Sequence, residues 1–295
     1  MRLSIFSFKM KHALWFSSFL LLLLSGDRLV GHFMQKQVEK SQFRYSRLYS
    51  GEAKAEILLV GNSRGLNFFQ PYIEKVTGKK TFNLSYNGLP MDVSKALVLD
   101  YLDRYPLPQK IVIDITNCDR MNDQLMAGFL TYSGQSYRLD TLIHSKLPKV
   151  WWGGKLSALF CLNNEIYQRA LFHRNKLDTD WLRDHVMSEK LAAEASKEPP
   201  YDLQIHPYLI QKLKETVRAV EAKGVGVALV IGPYAPGYQV NNLDALKTAV
   251  EQATGLPVRD YRQALSDPAG FSDYRHLNVR GSKVFIDLMK RDSVL

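Results

Sequence analysis

The stretch Glu56-Ile-Leu-Leu-Val60-Gly61-Asn62-Ser63-Arg64 gives the clearest indication of the fold class. Its first five residues form an almost continuous apolar run, which is typical of a strand covered on both faces in a parallel sheet. Residues 64–76 follow with apolar side chains at helical spacing. A buried strand that passes through a glycine turn into a helix predicts an α/β fold.

The same alternation continues along most of the chain. Further strands are predicted at 81–84, 110–115, 225–231 and, in short form, 256–258, and helices at 91–104, 207–223, 241–254 and 279–290. This pattern predicts a three-layer sandwich with a central parallel sheet. The interval 117–205 contains no strand pattern, so we expect a helical insertion at about 118–205. It could form a wall of the substrate site, or it could pack as a subdomain without substrate contact.

The N-terminus has the pattern of an export segment. Arg2, Lys9 and Lys11 precede an apolar run at 13–24, and basic residues before a short apolar stretch predict a signal anchor or a signal peptide over residues 1–30. Both alternatives place the rest of the chain outside the cytoplasm, in the periplasm or at the cell surface. We expect residues 31–54 to form a polar stalk or a helical lead-in and residues 55–295 to form the α/β domain.

The charge of the chain follows this division. The formal charge is +10, from 39 basic and 29 acidic residues. Residues 1–54 hold nine of the basic and three of the acidic residues, which leaves 30 against 26, or +4, for the rest. Because the body of the protein is nearly balanced, we expect no nucleic-acid partner.

Cys118 and Cys161 are the only two cysteines. Two cysteines without a CxxC motif do not make a zinc site, and we expect neither a metal nor a cofactor. In an oxidising compartment the two could pair, or both could be buried thiols.

Two groups of residues carry candidate chemistry. Ser63 follows the first strand, at the sheet edge where open α/β sheets place their sites. There it could act as a nucleophile or cap the next helix. Asp273 and His276 lie three residues apart before the last helix, so the carboxylate could orient the imidazole and the imidazole could take a proton from a hydroxyl.

Two further candidates follow neighbouring strands. Gly88 lies in the turn after the second strand, where a backbone N–H could approach a ligand, and Asn117 follows the third, where its amide could donate a hydrogen bond. An ordinary turn at Gly88 and an Asx turn at Asn117 are the structural alternatives.

Together these residues resemble the SGNH/GDSL hydrolase superfamily, over roughly residues 56–291. Gly61-Asn62-Ser63 is similar to its first block, Gly-Asp-Ser, with asparagine in place of aspartate. Gly88 matches the glycine of the second block, and Asn117 keeps only the asparagine of the third. The segment from Phe271 to Gly281 resembles the last block in its extended form, Phe-x-Asp-x-x-His-Leu-Asn-x-x-Gly. That form looks most like the membrane-anchored cell-envelope branch, which includes alginate O-acetyltransferase-like proteins and D-alanyl transfer proteins.

The resemblance implies a flavodoxin-like fold and a serine acyl-transfer mechanism. His276, held by Asp273, would activate Ser63, and the backbone of Ser63 and Gly88 with the amide of Asn117 would form the oxyanion hole. The implied function is that of a membrane-tethered O-acyltransferase, with acetyl as the expected group, acting on an extracellular or cell-envelope polysaccharide. A multi-pass membrane protein would supply the acyl group. A carbohydrate esterase or deacetylase and an inactive scaffold of a polysaccharide secretion complex are the alternatives.

Three more side chains are candidates for substrate binding. Arg64 stands next to the candidate nucleophile, and Trp151 and Trp152 stand together in the expected insertion. They could contact an acidic sugar polymer. The structural alternative is a surface arginine and two core tryptophans.

Overall fold

A computed structural model describes residues 2–177, 182 and 184–295, and the side chains from residue 10 onward. The side chains of Arg2 and Lys9, part of the predicted export signal, therefore lie outside the described residues. The strands in chain order are β1 (Ile57–Val60), β2 (Thr81–Asn83), β3 (Lys110–Asp114), β4 (Tyr201–Asp202), β5 (Gly226–Ile231), β6 (Val240–Asn241) and β7 (Val258–Asp260).

The central sheet has five strands in the order β2-β1-β3-β5-β7. Every pairing in it is parallel, which confirms the predicted α/β class and its central parallel sheet. β2 lies on one side of β1, and β3, β5 and β7 lie on its other side, so the strand order reverses between β1 and β3. Open α/β sheets place ligands at this point, beyond the carboxyl ends of the strands. β4 and β6 form a small separate parallel pair, so the predicted insertion does contain a short strand.

The helices in chain order are α1 (Arg2–Glu39), α2 (Arg44–Ser50), α3 (Gln70–Thr77), α4 (Met91–Arg104), α5 (Asp123–Gly128), α6 (Leu130–Ser133), α7 (Tyr137–Lys146), α8 (Pro148–Leu156), α9 (Ala158–Cys161), α10 (Glu165–Phe172), α11 (Glu189–Glu194), α12 (Pro207–Glu221), α13 (Leu243–Thr254) and α14 (Val279–Arg291). Short 3-10 helices lie at Ser63–Asn67, Ile115–Cys118 and Pro268–Gly270.

Successive residues of a strand point to opposite sides of the sheet. Both sides are apolar here, and helices cover both. Leu58 and Val60 pack in a core with α4, α12 and α13. Ile57 and Leu59 pack in a second core with α3 and α14. This division gives the expected three layers and explains why the strands read as continuous apolar runs.

Of the two alternatives for residues 31–54, the structure has the helical lead-in and not a polar stalk. α1 continues to Glu39, and Phe43, Tyr45 and Leu48 are completely buried in the larger core. The Tyr45 hydroxyl donates a hydrogen bond to the carbonyl oxygen of Leu84, just beyond β2. Lys36 and Lys40 are exposed, whereas Arg44 is buried and donates to the carbonyl oxygen of Ser85, so the segment is part of the folded domain.

One other local expectation differs from the structure, and the cysteines follow one of the two alternatives left open for them. The helix predicted over 64–76 is a 3-10 turn at Ser63–Asn67 followed by α3, because Pro71 fits only the first turn of an α-helix. Cys118 and Cys161 are both free, and burial raises the pKa of the Cys118 thiol well above its usual value.

α1 is long and apolar enough to cross a membrane by length and composition. The side chains of Leu20–Leu24 are all exposed. The C-terminal part of the same helix packs against α2, α9 and α10. One continuous helix therefore joins the apolar segment to the α/β domain.

Candidate active site

Ser63, His276 and Asp273 form a continuous hydrogen-bonded chain. The Oγ of Ser63 lies 2.9 Å from Nε2 of His276, and Nδ1 of the same ring lies 2.9 Å from both carboxylate oxygens of Asp273. A carboxylate at Nδ1 holds the ring proton there and leaves Nε2 as the acceptor that faces the serine hydroxyl. This arrangement can remove the serine proton.

The Asp273 carboxylate is ionised at neutral pH. Burial raises its pKa, but the hydrogen bond and charge of His276 and the backbone N–H groups of Arg275 and His276 outweigh burial, and the pKa falls to about 2. Those two N–H groups bind Oδ1 at 2.8 and 3.0 Å. The backbone of the loop thus holds the carboxylate in place, and the carboxylate in turn orients the imidazole.

Asn62, not Ser63, caps the 3-10 turn that carries the serine. Oδ1 of Asn62 accepts the Arg64 N–H at 2.9 Å, and its Nδ2 donates to the carbonyl oxygen of Thr116, beyond β3, at 2.8 Å. The capping alternative for Ser63 is therefore wrong. Asparagine suits this position because it supplies both an acceptor and a donor.

The turn is tight, and its glycines allow the close approach. A Cβ at Gly65 would lie 2.2 Å from Oγ of Ser85, and one at Gly61 would lie 2.9 Å from Cα of Gly65. The chain therefore leaves β1 and folds back against the end of β2 without room for a side chain. This places Ser63 at the carboxyl edge of the sheet.

The loop that carries Asp273 and His276 is held from both ends. Asn278 caps α14 through the Gly281 N–H, and its Nδ2 donates to the carbonyl oxygens of Ala269 and Phe271. A Cβ at Gly281 would lie 2.0 Å from the Gly270 oxygen. The Leu-Asn-x-x-Gly part of the motif is thus the support of the loop.

Asn67 joins the two halves of the site. It ends the 3-10 turn of Ser63, is almost fully buried, and accepts the Leu277 N–H at 3.2 Å through Oδ1. Its carbonyl oxygen accepts the Ser282 hydroxyl. Sequence reasoning missed this residue, since an asparagine four positions after the serine gives no motif signal on its own.

A cavity of about 470 Å³ opens beside the serine. Its lining residues are Ser63, Leu66, Asn67, Asn87, Gly88, Arg169, Leu182, Ser272, Asp273, His276 and Leu277. Among the described residues, no hydrogen bond uses the N–H of Ser63 or of Gly88. Ser63 and Gly88 both line this cavity, so their N–H groups are candidate donors to a developing oxyanion.

Gly88 occupies a backbone conformation that suits glycine. Its φ is +65°, and its carbonyl oxygen accepts a hydrogen bond from Nδ2 of Asn122 at 3.1 Å. The left-handed conformation lets the turn after β2 bend over the serine. The neighbouring Asn87 is exposed in the same cavity, and its amide was not among the predicted site residues.

The structure does not bring Asn117 to the cavity. Its side chain is almost fully buried, and Nδ2 lies 3.2 Å from the Met91 sulfur and 3.5 Å from Oγ of Ser94, both on α4. The 3-10 turn after β3 directs this amide into the helix layer. Its expected role as an oxyanion donor has no geometric support.

Arg64 is also directed into the protein. It is 5% exposed, and its guanidinium donates to the carbonyl oxygens of Arg275, Gly232 and Pro233 at 2.7, 2.5 and 3.0 Å. It also lies 3.6 Å over the ring of Tyr234. These contacts connect the serine turn to the histidine loop. They also occupy the Arg64 guanidinium, for which a polymer contact was the alternative considered from the sequence.

The two tryptophans lie elsewhere on the insertion. Nε1 of Trp151 donates to Asp140 at 2.9 Å, and its ring lies 4.2 Å from that of His144. Trp152 is 57% exposed. Neither lines the Ser63 cavity, whereas Arg169 of the same insertion does. The insertion thus contributes to the site through a residue that sequence reasoning did not select.

A smaller cavity of about 100 Å³ also borders Ser63 and His276. It is lined by Asn62, Ser63, Arg64, Thr116, Asp119, Tyr201, Leu203, Tyr234, Arg275 and His276. Ser63 and His276 therefore line both a cavity of about 470 Å³ and one of about 100 Å³.

No family model matches this chain, and no curated protein matches it. Among solved structures, the chain is similar to one described as "The structure of a putative platelet activating factor from Streptococcus pneumonia". The identity is 13% and the TM-score 0.44, over 90% of this chain and 96% of that chain. This likeness concerns the fold alone. The fold and site of the present chain define an α/β protein with a serine–histidine–aspartate arrangement at the carboxyl edge of a parallel sheet.

Proposed function

We propose that this protein is a membrane-tethered serine O-acyltransferase of the SGNH type, which transfers a short acyl group, such as acetyl, to hydroxyl groups of an extracellular or cell-envelope polysaccharide. The observation that carries the proposal is the hydrogen bond between Ser63 Oγ and His276 Nε2, with Asp273 behind the ring. A scaffold without activity would not need a serine hydroxyl aligned in this way.

In the first half-reaction, Ser63 Oγ attacks the carbonyl carbon of the acyl donor while His276 Nε2 takes the hydroxyl proton. The N–H groups of Ser63 and Gly88 stabilise the oxyanion. The tetrahedral intermediate then releases the donor's leaving group, which receives the proton from His276. An acyl ester on Ser63 remains.

In the second half-reaction, a sugar hydroxyl attacks the acyl-serine. His276 takes the hydroxyl proton and returns it to Ser63 Oγ as the acyl–serine bond breaks, so the product is an O-acylated sugar and the free enzyme. If water attacks instead, the same steps give an esterase, which is the second candidate function.

Three features favour transfer to a polymer over simple hydrolysis. The large cavity beside Ser63 has room for sugar units, and the small one suits only a short acyl chain. The apolar segment of α1 suits a tethered protein, to which a multi-pass membrane protein could deliver the acyl group. The location outside the cytoplasm follows from the basic residues before that segment.

The test uses the full-length protein in detergent, with p-nitrophenyl acetate as donor and oligosaccharides as acceptors. We expect nitrophenol release that falls at least about 10³-fold in Ser63→Ala, together with acetylated oligosaccharide detected by mass spectrometry. Serine-dependent release that no acceptor changes would assign an esterase. Equal rates for both proteins would refute the enzymatic function.

A further inference from the structure

Helices α8 and α9 are rich in apolar residues, yet neither buries one of them. Leu156 is 71% exposed, Trp152 57% and Phe160 46%. We refer to these three side chains as the α8–α9 surface. In contrast, the preceding helix α7 buries Leu139 and Ile143 completely. An exposed apolar patch of this kind indicates a surface that is covered by something else.

The connection between α8 and α9 is fixed to the end of the apolar part of α1. Asp27 accepts hydrogen bonds from the Ser157 hydroxyl at 2.5 Å and from the N–H groups of Ala158 and Leu159 at 2.7 and 3.2 Å. From the next residue, the Arg28 guanidinium donates to the carbonyl oxygens of Lys155 and Leu156.

The two helices also touch directly. A Cβ at Gly31 would lie 2.5 Å from Cβ of Ala158, so a glycine is what allows α1 and α9 to approach this closely. The hydrogen bonds of Asp27 and this contact are made one turn apart on α1. The α8–α9 surface therefore has a fixed position along the α1 axis.

That position is at the level of a membrane surface if α1 crosses the bilayer. Asp27 lies about 5 Å and Gly31 about 10 Å beyond Leu24 along the helix, at 1.5 Å per residue. The headgroup layer is roughly 5–8 Å thick on each side. Leu29, Val30 and Phe33 are also exposed, so the apolar surface of α1 continues past the level of α9.

The composition of the surface fits the same level. Tryptophan is enriched where a membrane meets water, and basic side chains there bury their stems and direct their charges to the headgroups. Lys149 is exposed on the same helix α8 as Trp152 and Leu156, whereas the Lys155 ammonium pairs with Asp140 at 2.9 Å and so supports the helix from within the protein.

We infer that the α8–α9 surface lies in the headgroup layer of the same bilayer that α1 crosses, with Asp27 and Arg28 as the residues that hold it there. The inference rests on the membrane tether of the proposed function, and its occupant is the lipid bilayer itself. Phe160 and Val150 also line a cavity that adjoins the Ser63 cavity at Asn87. The acyl-transfer site would then open beside the membrane, where a membrane protein can deliver the donor.

The test places a nitroxide label on variants of the full-length protein that carry one added, accessible cysteine, in phosphatidylcholine/phosphatidylglycerol vesicles. In a Cys161→Ser background, where the remaining Cys118 is fully buried, the label is attached through Leu156→Cys. Leu22→Cys serves as the reference inside the bilayer and Val284→Cys, exposed on α14, as the reference in water. Relaxation by oxygen and by a water-soluble nickel complex gives the depth of each label.

We expect label 22 to behave as lipid-embedded and label 284 as water-exposed. Label 156 should be several-fold less accessible to nickel than label 284. Nickel access at 156 equal to that at 284, with label 22 in lipid, would overturn the inference and leave the tether intact. A water-exposed label 22 would overturn both. Hydrolysis of p-nitrophenyl acetate by the same variants reports on the catalytic part of the proposal separately.

Discussion

Ser63 and His276 lie 213 positions apart in the chain, and their side chains meet at 2.9 Å. Two structures achieve this: a glycine turn that brings the serine back over β1, and a capped loop that presents the imidazole. Asn67 and Arg64 connect the two structures through hydrogen bonds. The geometry of the nucleophile is thus a property of the framework and not of the two residues alone.

The first prediction concerns the carboxylate behind the imidazole. Asp273→Asn should lower kcat for p-nitrophenyl acetate about 10²–10⁴-fold, because an amide no longer holds the proton on Nδ1 or stabilises the imidazolium. The matched control is Asp267→Asn, an exposed carboxylate paired with Arg280. Comparable rates for the Asp273 variant and the control would contradict the assigned role.

The second prediction concerns pH. The pKa of Asp273 lies below its usual 3.8, at about 2, so its ionised form stabilises the folded state above pH 3.8. That contribution is lost as the pH falls through 3.8 toward 2. Urea unfolding in detergent should therefore show wild type more stable than Asp273→Asn at pH 5, with the difference shrinking toward pH 2. A difference independent of pH would contradict the assigned ionisation.

The third prediction concerns Asn62, which bridges the serine turn and the end of β3. Asn62→Asp should lower the free energy of unfolding by about 1–3 kcal/mol, because a carboxylate cannot donate to the Thr116 carbonyl oxygen and would face it with a negative charge. Thermal unfolding checks this. The control is Asn163→Asp, on an exposed side chain, which should leave Tm nearly unchanged. An Asn62→Asp variant with an unchanged or higher Tm would contradict this explanation.

The fourth prediction concerns the turn over the serine. Gly88 and Gly224 both have positive φ, but a Cβ at Gly88 would lie 2.7 Å from Nδ2 of Asn122, whereas one at Gly224 meets nothing within 4 Å. Both alanine variants carry the same backbone strain. Only Gly88→Ala should lose activity, by about 10²-fold, through displacement of an oxyanion donor. Steady-state kinetics on folded samples distinguish them, and an equal loss in both would refute the special role of Gly88.

The sequence predicts the sheet, and the meeting of Ser63 with the histidine loop, for a physical reason. Buried parallel strands must be apolar on both faces, so β1, β3 and β5 are visible as runs. Residues directly after such strands lie at one edge, which brings Ser63 toward the histidine loop. Position along the chain therefore suffices for these predictions.

The apolar runs that mark the strands do not predict in which direction the side chain of a residue after a strand points. Asn117 follows β3 as expected, yet its 3-10 turn points the amide at α4. Residues 31–54 appear polar by composition, while the few that decide their packing, Phe43, Tyr45 and Leu48, lie on the inner side. Such directions depend on partners that are distant in sequence.

The last prediction separates two arginines near the serine. Arg64 is adjacent in sequence, but from a buried position it donates to three carbonyl oxygens, so Arg64→Gln should destabilise the protein by about 1–3 kcal/mol, the range for buried polar groups left without a partner. Arg169 lines the large cavity from α10 with 40% of its side chain exposed. Arg169→Gln should therefore leave Tm nearly unchanged and raise KM for an oligosaccharide acceptor, with little effect on hydrolysis of p-nitrophenyl acetate. Arg280→Gln, at an exposed position, controls for the loss of a positive charge. An Arg64→Gln variant that kept its Tm and raised only the acceptor KM would contradict this prediction. It would mean that the Arg64 guanidinium of the wild-type protein leaves its carbonyl partners and binds the polymer.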